Sequence, residues 1–256
     1  MKLVRIRGPH GPSWAEWVDR TVYLLEGSFV NGFQRTGVEG TFDSADLLAP
    51  ADPTKVIGVA ANYAAHAAEM GKPLPDEPRI FLKPNSSIIG PNATIWIPPG
   101  TTRVDPEAEL GVVIGRTLQR AGRDEAVDAV FGVTCINDVT ARDFQKKDGI
   151  FGRAKGFDSF CPVGPWIDTD LDYRDLEISA WVNGERRSLG RTSDMHFDVP
   201  TLISFISSIM TLYPGDIIAT GTPPGVAPIV AGDRVEVRIE GLGTLLNPVA
   251  DRDDRH

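Results

Sequence analysis

Val104–Gly115 reads VDPEAELGVVIG, and the placing of that run decides the fold. Leu110–Ile114 is apolar and largely β-branched, the composition of a strand buried on both faces. The run therefore predicts a strand over 108–114. Side chains alternate along a strand, so Glu107 and Glu109 leave the backbone on one side, with Asp105 in position to join them. Two carboxylates held that close repel each other and are costly beside a packed core unless a cation sits between them. A hard divalent ion bound through oxygen resolves the conflict. A solvated acidic strand face is the other reading of the same residues.

Downstream, Gly132–Ile136 predicts a second buried strand, with Asn137-Asp138 directly after it. Strand ends are where polar groups leave the core and face a site. Glu107, Glu109 and Asp138 together make an all-oxygen set, which suits Mg²⁺ or Mn²⁺ better than Zn²⁺ with its preference for His and Cys. Upstream, Asn62 is expected to cap a short helix through Met70. His66 and Glu69 share a face of that helix at i and i+3, so Glu69 can orient His66 as a general base. A surface salt link on an Ala-rich helix is the alternative. His196, in the loop before the long helix, has no sequence partner and is assigned a structural role.

Lys83 ends an apolar strand, Arg79–Lys83, and Lys155 falls in a Gly-flanked loop. Arg142 and Gln145 share one face of a helical segment after Asp138. Singly, each reads as a solvated surface group; gathered at a metal, they would bind the carboxylate and oxo groups of a small anionic substrate. Thr220-Gly221-Thr222-Pro223-Pro224-Gly225 follows a strand and offers hydroxyls and backbone N–H groups. It lacks the Gly-Lys-Ser/Thr of a P-loop, and the chain carries neither a Rossmann fingerprint nor a nucleophile elbow.

Strands are expected at Leu3–Ile6, Val22–Leu25, Lys55–Ala60, Ala93–Ile97, Asp216–Thr220, Arg234–Glu240 and Thr244–Val249. Ile178–Val182 and Glu185–Arg187 flank Asn183-Gly184, a type I′ hairpin signal. Helices are expected at Ser44–Leu48, Asp124–Phe131 and, most strongly, Asp198–Leu212, where Pro200 sits in the first turn and Leu202, Ile203, Ile206, Ile209 and Met210 share a face. Many strands with few, separated helices indicate α+β. Residues 1–50 are expected to form a small β-rich N-terminal domain, 55–250 the main domain, and 251–256 a frayed tail.

The 256 residues suffice for a sizeable core without staples. A net charge of −9 argues against nucleic acid or an anionic membrane as partner. No apolar run approaches the ~20 residues of a membrane span, and no signal segment is read at the start. The two cysteines, Cys135 and Cys161, read as free buried thiols in a reducing cytoplasm.

Six motifs then occur in the order found in the fumarylacetoacetate hydrolase family, which the chain resembles over residues 55–249. They are Asn62-Tyr63-x-x-His66-x-x-Glu69, Phe81-Leu82-Lys83-Pro84, Glu107-x-Glu109-Leu110, Asn137-Asp138-x-Thr140-Ala141-Arg142-Asp143-x-Gln145, Ala154-Lys155-Gly156-Phe157-Asp158 and Thr220-Gly221-Thr222-Pro223. The resemblance implies a mixed β-sheet rolled into a barrel-like sandwich, a homodimer, and Mg²⁺ or Mn²⁺ on Glu107, Glu109 and Asp138. It further implies Lys155 as the catalytic lysine, His66 with Glu69 as a water-activating dyad on a lid, and Lys83, Arg142, Gln145 and Thr222 as substrate contacts. Nothing in residues 1–50 matches the larger N-terminal domain of the full-length enzymes, no tyrosine follows Gln145 closely, and Ala61 stands where some small members have Arg or Leu. The likeness is thus to the shorter branch, acting on 2-oxo acids: dienedioate isomerases of aromatic catabolism, acylpyruvate hydrolases and oxaloacetate decarboxylases. Two rivals predict different behaviour. A glycosidase using Glu107 and Glu109 as acid and base would be indifferent to EDTA; a non-catalytic metal-binding member of the fold would need neither the His66–Glu69 pair nor Lys155.

Overall fold

A computed structural model of the protein describes residues 1–8, 10–19, 21–41 and 46–252. The chain opens with β1 (Lys2–Gly8), β2 (Gly11–Val18), β3 (Thr21–Ser28), β4 (Gly32–Thr41) and a short β5 (Leu47–Leu48). β6 (Val56–Ala60) leads into helix α1 (Ala64–Glu69), and β7 (Arg79–Lys83) returns along β6. Three short strands, β8 (Ile88–Ile89), β9 (Ile95–Ile97) and β10 (Val104–Asp105), precede β11 (Ala108–Ile114). Helix α2 (Arg123–Val127) connects to β12 (Val130–Asn137) and β13 (Thr140–Ala141). Helices α3 (Arg142–Asp148) and α4 (Gly152–Gly156) come next, and then β14 (Cys161–Asp168). The hairpin β15 (Glu177–Val182) and β16 (Glu185–Arg191), helix α5 (Val199–Ile209), β17 (Ile217–Ala219), β18 (Arg234–Ile239) and β19 (Gly243–Asp251) complete the order.

The larger sheet runs β4-β3-β2-β1-β14-β12-β11-β17-β6-β7, antiparallel along this path except between β17 and β6. β1 joins it through Lys2↔Asp168 and Leu3↔Ile167, so the first strands continue the main sheet. A smaller sheet, β16-β15-β18-β19-β9, packs against it face to face. Val112, Ile114, Val133 and Cys135 of one sheet share a core cluster with Ile178, Val237 and Leu245 of the other. This sandwich-like α+β architecture follows from the period-2 and β-branched runs read in the sequence. Helix α5 closes the cluster with Leu202, Ile203 and Ile206, all fully buried and each contributing roughly 1.5–3 kcal/mol. Asp198 caps it by accepting from Thr201 N–H. Asn183 and Gly184 have φ of 53° and 81°, as the type I′ turn requires.

Several expected boundaries shift. Leu47–Leu48 is strand where a helix was expected, because it pairs with Arg5 and Ile6 and buries Leu47; Ser44 and Ala45 lie outside the described residues. Helix α2 stops at Val127, and Val130 pairs with Ile114. Helix α5 stops at Ile209, and Leu212 bridges to Leu118. Strands β2 and β4 (GPSWAEWV and GFQRTGVEGT) were not expected, being broken by Gly, Pro and charge. Asp251, expected in the tail, ends β19 opposite Ile97; residues 253–256 are outside the described set. Among the described residues no helix is long and apolar enough to cross a membrane.

Candidate active site

Four adjacent strands bring the site together at one end of the larger sheet. β11 and β12 pair antiparallel with Ala108 opposite Asn137, so the start of one lies beside the end of the other. Asp138 N–H donates to Glu107 O at 2.9 Å, and Asn137 Oδ1 accepts from Glu107 N–H at 3.0 Å. Register alone thus gathers Glu107, Glu109 and Asp138, which can each present a carboxylate oxygen within 4.8 Å of the others. All three are buried. Asp105 is buried nearby but stands outside this group, held by Arg103 Nε at 3.0 Å and Arg142 Nε at 2.8 Å. The sequence-level suggestion that it joins the acidic set is corrected by that pairing.

The three carboxylates are not equivalent. Glu107 accepts from Lys155 Nζ at 2.6 Å and Arg142 Nη2 at 2.5 Å. Burial alone would raise its pKa, but Arg142 and Lys155 hold it below the ordinary range. Asp138 accepts from Lys83 Nζ at 2.5 Å and also from Lys155 Nζ. Glu109 has only Gly221 N–H, at 2.8 Å, and among the described residues no ion pair. Burial, then the charges of Asp138 and Glu107, push its carboxyl well above the usual value. A buried carboxylate short of positive charge, beside two others, fits a divalent cation bound through oxygen.

The flanking strands supply the rest. β17 pairs with β11 through Gly111↔Ala219 and leads into Thr220-Gly221-Thr222. Gly221 sits at φ +99°, where a Cβ would lie 2.9 Å from Asn62 Cβ, so glycine alone lets its N–H reach Glu109. Thr222 is buried with an unpartnered hydroxyl. β6, parallel to β17, leads to α1. There His66 Nδ1 lies 3.1 Å from Glu69 Oε2, and both Glu69 oxygens accept from Gly225 N–H at 3.1 Å. Asn62 is not the helix cap expected of it; α1 begins after Tyr63 with no side-chain cap. Instead Asn62 Nδ2 donates to Thr220 O at 2.8 Å and Phe197 O at 3.0 Å, tying the His66 segment to the Thr220 loop. Lys155 lies on α4 where a loop was expected, its ammonium 4.9 Å from the Phe81 ring centroid. Arg142 and Gln145 lie on α3, with Arg142 Nη1 donating to Gln145 Oε1 at 3.2 Å.

A cavity of about 220 Å³ opens over this assembly, lined by His66, Glu107, Glu109, Arg142, Gln145, Lys155 and Thr222 among others. Lys83 and Asp138 are buried and off its lining, and Glu69 stands behind His66. Lys72, Arg79 and Phe151 also line it, although nothing in the sequence singled them out. The one available signal was that Arg79 shares a strand face with Lys83. His196 is absent from the lining and contacts Pro75 O at 3.2 Å. Cys135 and Cys161 are buried and free. Burial raises both thiols, Cys161 to about 12, so neither is a thiolate nucleophile at neutral pH.

Comparison with known proteins places this geometry. Residues 55–250 match the family model "Fumarylacetoacetate (FAA) hydrolase C-terminal", and residues 1–50 match "Rv2993c-like, N-terminal". A 2,4-didehydro-3-deoxy-L-rhamnonate hydrolase of Sphingomonas sp. (strain SKA58) is 44% identical over 209 residues, 77% of this chain and 73% of that protein. The structure of a 5-carboxymethyl-2-hydroxymuconate delta-isomerase from Mycobacterium smegmatis matches with a TM-score of 0.91 at 44% identity, covering 98% of this chain and 100% of the other. A maleylpyruvate hydrolase from Sphingobium sp. SYK-6, solved with manganese(II) and pyruvate, matches with a TM-score of 0.80 at 30% identity, covering 99% and 100%. With its motifs, sheet order and carboxylate cluster all in agreement, the chain belongs to the fumarylacetoacetate hydrolase family.

Proposed function

We propose that the protein is a divalent-metal-dependent enzyme, using Mg²⁺ or Mn²⁺, that cleaves or isomerises small 2-oxo acids through an enolate, as in aromatic catabolism. The observation that carries this reading is the buried Glu107–Glu109–Asp138 cluster, in which Glu109 makes no ion pair among the described residues. The manganese and pyruvate held by the maleylpyruvate hydrolase support it, pyruvate being a 2-oxo acid. Bound by these three residues, a divalent cation would supply Lewis acidity at the floor of the cavity.

The chain's own groups account for the rest. Lys155, held by Glu107 and Asp138, presents an ammonium to negative charge developing on the substrate oxygen. Arg142 occupies Gln145 Oε1, which leaves the Gln145 amide nitrogen as the donor available to a substrate carboxylate. With Nδ1 turned to Glu69, His66 keeps Nε2 free to take a proton. In hydrolysis, His66 deprotonates water, whose oxygen bonds to the distal carbonyl carbon. The adjacent C–C bond then breaks, and its electron pair enters the enolate. Protonation of the enolate carbon completes a 2-oxo acid and a carboxylic acid. Isomerisation is the second reading, favoured by the muconate isomerase likeness; it uses the same base to move a proton without adding water.

Purified protein should turn over at least one of acetylpyruvate, fumarylpyruvate, oxaloacetate and a meta-cleavage dienedioate with Mg²⁺ or Mn²⁺, and lose that turnover in EDTA. His66→Ala should depress hydrolysis far more than oxaloacetate decarboxylation, which needs no activated water. Undiminished turnover in EDTA would contradict the reading, and so would equal losses in both reactions for the assigned role of His66.

A further inference from the structure

Strand β7 crosses the site with Arg79, Phe81 and Lys83 on one face, since alternate residues share a side. Lys83 is committed at the inner end, donating to Asp138. Phe81 fills the middle. It lies over Gly58, where any Cβ would clash with the ring, and packs 4.9 Å from Phe151. Arg79 holds the outer end opposite Ala60, and both line the cavity. Four residue steps along the strand lead from Arg79 to Lys83, about 13 Å at ~3.3 Å per residue. Lys72 lines the same cavity from the turn after α1, where its N–H donates to Ala67 O at 2.9 Å.

The cations of the cavity divide into two groups. Lys155 and Arg142 are already paired with carboxylates at the cluster. Arg79 and Lys72 have no ion pair among the described residues. The carboxylates lining the cavity are Glu107 and Glu109 at the cluster itself. Glu107 and Glu109 line the cavity as buried residues, whereas Arg79 and Lys72 line it as exposed ones; in a chain with 35 acidic and 26 basic residues, two cations without an ion pair among the described residues polarise that cleft.

We propose that Arg79 and Lys72 form a second anion subsite, which receives a carboxylate at the far end of the substrate and selects dianionic 2-oxo acids over those ending in a methyl group. The inference rests on the reading of the cluster as a 2-oxo-acid site. Arg79 offers a planar fork matched to a carboxylate, and Lys72, on the same cavity lining, adds a point charge. Phe151, which lines the cavity and is backed by the Phe81 ring, gives the intervening carbon chain an apolar wall.

The test uses the full chain with Mn²⁺ and two unreactive acids of equal length, 2-oxoadipate and 2-oxohexanoate, titrated by calorimetry. The wild type should favour 2-oxoadipate by about tenfold or more, the scale of one charge-assisted contact. Arg79→Gln should bring that ratio toward one, Lys72→Gln should lower it less, and Arg79→Lys should retain part of it. Equal binding of both acids by the wild type overturns the subsite alone, as does a ratio unmoved by Arg79→Gln. Binding of neither acid overturns the subsite together with the 2-oxo-acid reading.

Discussion

Strand β17 has a buried carboxylate at each end, and the two are treated in opposite ways. At its start, Asp216 is fully buried and saturated from within the chain. Its Oδ1 accepts from Thr54 N–H at 3.0 Å, Thr54 Oγ1 at 2.6 Å and Lys55 N–H at 3.1 Å. Its Oδ2 accepts from Tyr213 N–H at 2.8 Å and from the Lys55 ammonium. At its far end, Gly221 N–H is the single donor to Glu109 among the described residues, with Asp138 and Glu107 adding repulsion. Burial is the same; compensation is not. Asp216 is a structural carboxylate that holds β17 to the Thr54 turn, whereas Glu109 has no comparable compensation among the described residues, as the proposed cation site requires.

Substitutions at the two ends should therefore act on different observables. Glu109→Gln keeps an acceptor for Gly221 N–H but removes a charged ligand, so Mn²⁺ affinity by calorimetry should fall at least about a hundredfold. Stability moves the other way: a carboxyl whose pKa is raised on folding costs stability once ionised, so the ion-free variant should melt at or above wild type. Asp216→Ala strands the Lys55 ammonium and several donors; it should cost about 3–5 kcal/mol, lowering Tm by roughly 10 °C, with Mn²⁺ affinity unchanged in the folded fraction. The smallest effect belongs to an exposed pair. Arg123, then the Thr201 contacts, lower the Asp198 carboxyl from 3.8 to about 2. That contribution is present above pH 3.8 and lost as pH falls toward 2. Because the pair is half-exposed it is worth less than about 1 kcal/mol, and Asp198→Asn should flatten the acid limb of a melting-versus-pH series only slightly.

The contrast also marks what was legible in the sequence. The β11–β12 pairing was visible because both strands are continuous β-branched runs, and once they pair antiparallel the acidic ends must meet. Asp105 looked like a third partner by spacing alone; only the tertiary placement of Arg103 and Arg142 shows that it is already neutralised. Asn62 carries the chemistry of a helix cap, but its amide is worth more bridging Phe197 and Thr220, and no local signal announces partners about 135 and 158 residues away. The glycines flanking Lys155 are poor helix formers and predict a loop, yet one turn forms with Phe151 O accepting from the Lys155 N–H. Arg79 and Lys72 were invisible because a lone cation has no periodicity, and their meaning lies in sharing a cavity with the cluster.

The most direct measurement is an anomalous difference map from crystals grown with Mn²⁺. One manganese peak per chain, contacted by oxygens of Glu107, Glu109 and Asp138, is the predicted result. A clear map with no peak among those oxygens, or with the ion elsewhere while Glu109 keeps only its Gly221 N–H, would contradict the account.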